Sequence, residues 1–193
     1  MKLMFGEIEE ILRAVHSIPD SDKARFRARL RNLIRVGLQL PSGTAGRKAN
    51  YHPADLMKIA FAVELTQAGI PPEPAAITTA QYWPDGVEQI FAARAEMQAG
   101  KKQSSFLIAE PSALATPIYR FTPVTGEELS EKLIGLPGLL MRRLIVISPP
   151  ALLLALRKAV SQSNLDYEAF EAVLDEAQDT ILKQGARVYG NRS

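Results

Sequence analysis

From Lys23 to Ala54 the chain holds eight basic residues (Lys23, Arg25, Arg27, Arg29, Arg31, Arg35, Arg47 and Lys48) and no carboxylate. Within that stretch Phe26, Leu30, Leu33 and Ile34 recur at i, i+4, i+7 and i+8. This spacing predicts a helix over 22–36 with one apolar face. Such a helix can pack only with the apolar stripe down. The Arg27–Arg31–Arg35 stripe, with Arg25, Arg29 and Asn32 beside it, must then face solvent. Like charges at i, i+4 repel and weaken an isolated helix, a cost that a polyanionic partner offsets. The formal net charge of the chain is only +2, so the residues outside this stretch are net acidic. Positive charge concentrated in this way is the electrostatic footprint of a phosphate-binding surface, whereas a merely solvated helix mixes signs.

The flanking elements read from their own punctuation. Phe5, Ile8, Ile11, Leu12 and Val15 predict an amphipathic helix over 5–16. Pro19 breaks it, and Asp20 or Ser21 is placed to cap the basic helix, which Gly37 stops. Leu38–Tyr51, with a Gly-containing tip at Pro41–Gly46, predicts a β-hairpin. Pro53 and Asp55 open a third helix reaching Ala68, apolar nearly all round and therefore a core element. Gly69 followed by Ile70 is a Schellman-type ending. A short fourth helix runs from Pro71-Pro72 to Tyr82, then a turn at Trp83–Gly86 and a further helix over Val87–Gln98.

The stretch 100–105 is the most linker-like in the chain and suggests a boundary near residue 102. Beyond it, β-branched and aromatic content predicts strands at Phe106–Ala109, Ile118–Val124 and Arg143–Ile147, with helices at Leu129–Ile134, Ala151–Val160 and Asn164–Lys183. Gly185–Ser193 reads as a polar tail. The expected architecture is α+β and mostly helical, in two domains. Residues 1–102 would form a winged helix-turn-helix unit with an extra helix, and 103–193 a small α/β unit for dimerisation or partner binding. Leu152, Leu153, Leu154 and Leu156 are its candidate interface. Apolar content of 47% lets most of the chain bury a core. The chain has no cysteine, which excludes disulfides, thiolate zinc sites and cysteine nucleophiles. No segment reads as a signal peptide or membrane span, so a soluble cytoplasmic protein is expected.

A helix-turn-helix lays its second helix in the major groove while a wing touches the flanking backbone. Arginine suits bidentate contact with guanine or phosphate, and Asn32 suits adenine. At Arg47-Lys-Ala-Asn-Tyr51-His-Pro-Ala-Asp55-Leu56-Met-Lys-Ile59, and again at Leu65-Thr-Gln-Ala-Gly69-Ile70, the chain resembles MerR-type winged helix-turn-helix regulators. In that family a basic wing strand ends in an aromatic residue before an Asp-Leu pair opens an apolar helix. The resemblance covers roughly residues 5–82. It departs from the family in lacking an Arg-Tyr-Tyr segment in the basic helix and a long dimerisation coiled coil.

The DNA-contacting set is then Arg25, Arg27, Arg29, Arg31, Asn32, Arg35, Arg47, Lys48 and Tyr51. The partner is double-stranded DNA and the protein a homodimer, a regulator of bacterial or phage type. The rivals are a structural nucleic-acid binder, such as a packaging or nucleoid component, and an adaptor whose basic helix docks on an acidic protein. Enzyme chemistry is not indicated. Gly43-Thr-Ala-Gly46-Arg-Lys48 lacks the spacing of a phosphate loop. His16 and His52, the only histidines, have no metal-ligand spacing. His16 reads as a helix-end residue accommodated by the dipole, and Glu7, Glu9 and Glu10 as a solvated helix face. No metal or other cofactor is implied, and Trp83 reads as a packing residue.

Overall fold

Residues 53–67 are apolar on nearly every side, and a helix of that kind is stable only when other elements surround it. The computed structural model, which describes residues 1–38, 40, 50–100, 105–109, 121–134 and 145–189, places that helix at the centre. In chain order the elements are α1 (Phe5–Val15), a 3-10 turn (Asp20–Asp22), α2 (Lys23–Arg35), α3 (Pro53–Gln67), α4 (Pro72–Gln98), β1 (Ser105–Ala109), β2 (Thr122–Thr125), α5 (Gly126–Ile134), β3 (Ile145–Ile147), α6 (Pro149–Ser161) and α7 (Tyr167–Tyr189). The protein is mostly helical with a small antiparallel sheet, an α+β architecture.

In α3, Leu56, Met57, Ile59, Ala60, Phe61, Ala62, Val63 and Leu65 are all buried. Pro53 sits in its first turn, and the Asp55 carboxylate accepts the His52 N–H at 2.8 Å, satisfying a free donor beside the positive end of the dipole. The far end closes as expected. Ile70 N–H reaches Leu65 O at 3.0 Å, Gly69 N–H reaches Thr66 O at 3.1 Å, and Gly69 has φ +91°, the left-handed residue a Schellman ending requires.

The expected break at Trp83–Gly86 does not occur. α4 is one helix of 27 residues that runs through Pro84 and Gly86. A proline inside a helix costs roughly 3 kcal/mol, and here burial on both sides of it prevails. Ala75, Ala76, Thr78 and Thr79 are buried before it, and Val87, Ile90, Phe91 and Arg94 after it. Trp83 packs at the edge of the core.

The three described strands lie in the order β2–β1–β3, both pairings antiparallel. Phe106 faces Val124, Leu107 faces both Pro123 and Ile147, and Ile108 faces both Thr122 and Val146. Central β1 buries Leu107, Ile108 and Ala109 in succession. β3 alternates, with Ile145 and Ile147 buried and Val146 exposed. Pro123 lies on an edge strand, where a missing N–H is tolerated. An antiparallel sheet needs no βαβ crossover, and here the described strands of the expected mixed helix-and-strand region are all antiparallel. α7 also continues through Gly185 to Tyr189, where a polar tail was expected. Parts of the expected strands, 118–120 and 143–144, fall outside the described residues.

The two sides of residue 102 share one core. α6 and α7 pack on α1, α3 and α4, and Leu152, Leu153, Leu156, Phe170 and Leu174 belong to the same buried cluster as Ile8, Leu12 and Phe61. Of the four leucines offered as an interface, only Leu154 is exposed, at 50%. The other three already cover the N-terminal helices. A buried cation pins the join. Arg94 on α4, 1% exposed, donates to Asp175 at 2.7 Å, Glu171 at 2.9 Å and Gln178 at 3.1 Å, all on α7. Glu171 also accepts from Arg157 Nε on α6 at 2.6 Å. Burial pushes the Glu171 carboxyl up, but the bonds from Arg94, Tyr167 and Arg157 outweigh it and hold it below the usual range.

Candidate nucleic-acid interface

α2 is held by three side chains. Phe26, Leu30 and Leu33 are buried, while Lys23, Ala24, Arg25, Arg27, Ala28, Arg29, Arg31 and Arg35 are exposed. The expected amphipathic division is therefore present, and it splits the basic residues into three groups.

On the side toward α1, Arg27 Nε donates to Glu9 Oε2 at 2.6 Å, and the Arg31 guanidinium lies 5.4 Å from the centre of the Phe5 ring. Phe5 and Glu9 are one turn apart on α1. Glu9 is not the solvated residue expected. It is 1% exposed, and its Oε1 has no partner among the described residues. Arg27 is thus the counter-ion of a buried carboxylate, and it leaves the expected stripe of three equivalent arginines. On the outward face, between Ala24 and Ala28, the helix is small enough for close approach. Arg35 Nη2 donates to Asn32 Oδ1 at 2.9 Å. That bond uses one of the two lone pairs on the oxygen with which Asn32 would accept from adenine, and it orients the amide. On the side toward α3, Arg25 lies 3.5 Å from Asp22, and Arg29 stands beside it. Arg29, Arg31 and Arg35 have no carboxylate partner among the described residues.

The turn before α2 is built by backbone rather than by a cap. Ile18 N–H reaches Arg13 O at 2.9 Å and Ser17 N–H reaches Ala14 O at 3.3 Å, with Ser17 at φ +52°. Arg13 holds Asp20 at 2.6 Å, which takes Asp20 away from the capping role expected of it. No side chain caps α2. His16, at the end of α1, is not a dipole-stabilised cation. It is buried with Nδ1 3.5 Å from Glu64 Oε1, and burial lowers its pKa to about 4.

Beyond α2 the structure joins Tyr51 to Leu3 by two backbone bonds, N–H to O at 2.8 and 2.7 Å. The Tyr51 side chain is 6% exposed and belongs to the core. It is therefore not the DNA-contacting ring expected, because a residue anchoring the end of that segment cannot also stack outside it. Burial, with Asp55 nearby, pushes its hydroxyl pKa up. Arg47 and Lys48 lie outside the described residues, as does most of the expected hairpin. Sequence reasoning missed Glu9 and Phe5 as supports. The available signal was their place on the apolar stripe of α1, where Glu9 follows Ile8 and precedes Leu12 by three.

Among the described residues no cluster of histidine or acidic side chains could hold a metal, and no helix is long and apolar enough to cross a membrane. No protein-family model, curated protein or solved structure matches the chain.

Proposed function

We propose that the protein is a DNA-binding transcription regulator in which α2 enters the major groove of double-stranded DNA. The observation that carries this reading is the outer surface of α2. It presents Lys23 and five arginines to solvent on a helix anchored by three buried side chains. An anchored helix sets the backbone positions of these arginines before binding, and this limits the backbone conformational entropy lost on the complex. The reading takes α1 and α2 as the helix-turn-helix of a MerR-like winged unit. The bridge between Leu3 and Tyr51 supports it, since it ties down the end of the segment read as a wing. Site-specific readers of this size bind as two-fold dimers, and a homodimer in the cytoplasm belongs to the proposal.

The test is fluorescence anisotropy of the full chain with defined and random duplexes at several salt concentrations. Each phosphate neutralised contributes about −0.9 to the slope of log K against log salt. Arg31→Ala and Arg35→Ala should each weaken binding and reduce that slope by about one. A preference for a selected duplex over random DNA supports a regulator, and equal affinity for both supports a structural binder. Salt-independent binding, or none, overturns the reading.

A further inference from the structure

Between α2 and the α3–α4 corner lies a groove of about 390 Å³. Its floor is apolar, made by the buried side chains Phe26, Leu30, Leu33, Val63 and Ile70. Its rim is charged. Arg25 and Arg29, one helical turn apart on α2, stand on one wall with Asp22, and Thr66 and Gln67 on the other. Small-molecule sites have this size and this mixture of apolar lining with a few polar groups.

We propose that this groove binds a small apolar monoanion, an aromatic or alicyclic carboxylate of about two rings. Charge selects the sign of the ligand. The rim carries two guanidiniums against one carboxylate, and Asp22 is taken up by Arg25 at 3.5 Å. Arg29 has no carboxylate partner among the described residues. A fork of N–H donors at that place suits a carboxylate. The floor selects the rest of the molecule. Inorganic phosphate would meet the rim and leave five apolar side chains wet, and a DNA backbone would do the same. A ring system carrying its charge at one end satisfies both. Thr66 Oγ1 already donates to Val63 O at 2.8 Å, so toward a ligand it can only accept.

Arg25 and Arg29 lie between the buried and outward faces of α2, so a bound carboxylate neutralises part of the surface that the proposed function assigns to DNA. This consequence rests on that reading, and the groove itself does not. A ligand held there should weaken DNA binding in proportion to its occupancy.

The experiment titrates the ¹⁵N-labelled full chain with 2-naphthoate and, in parallel, with the uncharged 2-naphthalenemethanol and with inorganic phosphate, reading amide shifts. The expected result is saturable binding of naphthoate with shifts confined to residues 22–33 and 63–70. The alcohol and phosphate should bind at least about fivefold more weakly. Arg29→Ala, at an exposed position, should weaken naphthoate binding about five- to tenfold with an unchanged thermal midpoint. Thr66→Phe, which fills the groove from its rim, should abolish it. Equal binding of the alcohol, an Arg29→Ala affinity equal to the parent's, or scattered shifts would overturn the proposal. So would shifts at the groove that follow protein concentration without ligand, because they would assign it to a second copy of the chain. Naphthoate binding in a protein that binds no DNA would leave the groove standing and remove only the regulatory reading.

Discussion

Replacing Arg94 tests how the chain is held together. Its guanidinium is the buried member of the cluster at 1% exposed, whereas Asp175 is 62% and Glu171 17% exposed. Removing one partner of a buried pair costs about 3–5 kcal/mol. Here the stranded groups fare better than usual, since Asp175 returns to water and Glu171 keeps Arg157. Arg94→Ala should therefore cost about 3 kcal/mol, the lower end of that range, including the void left by the aliphatic stem. Arg94→Met fills most of the void without a charge and should cost about 1 kcal/mol, because exchanging a buried ion for a well-packed apolar group is often neutral. Urea unfolding at pH 7, followed by circular dichroism and by Trp83 fluorescence, measures both. The Arg94 bond holds the Asp175 carboxyl below its usual range, and Glu171 is held low as well. Their contribution is complete above the ordinary carboxylate pKa and is lost as pH falls through the depressed values. The Arg94→Met curve should therefore be flatter in acid. An Arg94→Ala cost below about 1 kcal/mol, set against the range above, refutes the argument. Separate transitions by the two probes would do so as well, because a core shared across residue 102 unfolds in one step.

Truncation after residue 102 should give a protein that aggregates or binds a hydrophobic dye, since it strips α6 and α7 from α1, α3 and α4. A cooperative thermal transition in the fragment would show that the N-terminal helices suffice. Ser17→Gly should stabilise by about 0.5–1 kcal/mol in urea, because a non-glycine residue at φ +52° carries a left-handed penalty, and no gain would mean that Ser17 is unstrained. His16 has a folded pKa of about 4 against 6.5, so the unfolded chain binds its proton first. That contribution is complete above pH 6.5 and is lost as pH falls toward 4, up to about 3 kcal/mol. Glu64, raised by burial, opposes it over the lower part of that window. His16→Gln should flatten the stability curve between those limits, and an unchanged slope in calorimetry would exclude His16 as its source.

What was legible in the sequence was local. The stripes of α1 and α2, the all-apolar α3 and the Gly69 ending depend on neighbours within one or two turns, where periodicity and capping operate. The Arg27–Glu9 pair spans 18 positions, and in the sequence Arg27 looks the same as Arg31. Pro84 and Gly86 are strong local stop signals, and only packing from distant elements explains a helix that ignores them. The run Leu152–Leu154 has no period of its own, so nothing in it says that Leu154 alone faces outward. Arg94 reads as a surface residue until its partners on α7, about eighty positions away, are in place.

The shared core also bears on how this chain could have diversified. Regulators built from separable parts evolve by recombination at a linker, so that one reading head acquires many sensors. A crossover near residue 102 in this chain would leave Leu152, Leu153, Leu156 and Phe170 facing a foreign surface and Arg94 facing no acid. Change would have to arise by substitution in place, at exposed positions of α2 such as Ala28 and Arg29, whereas Arg27 and Arg31 are tied to Glu9 and Phe5 beneath them.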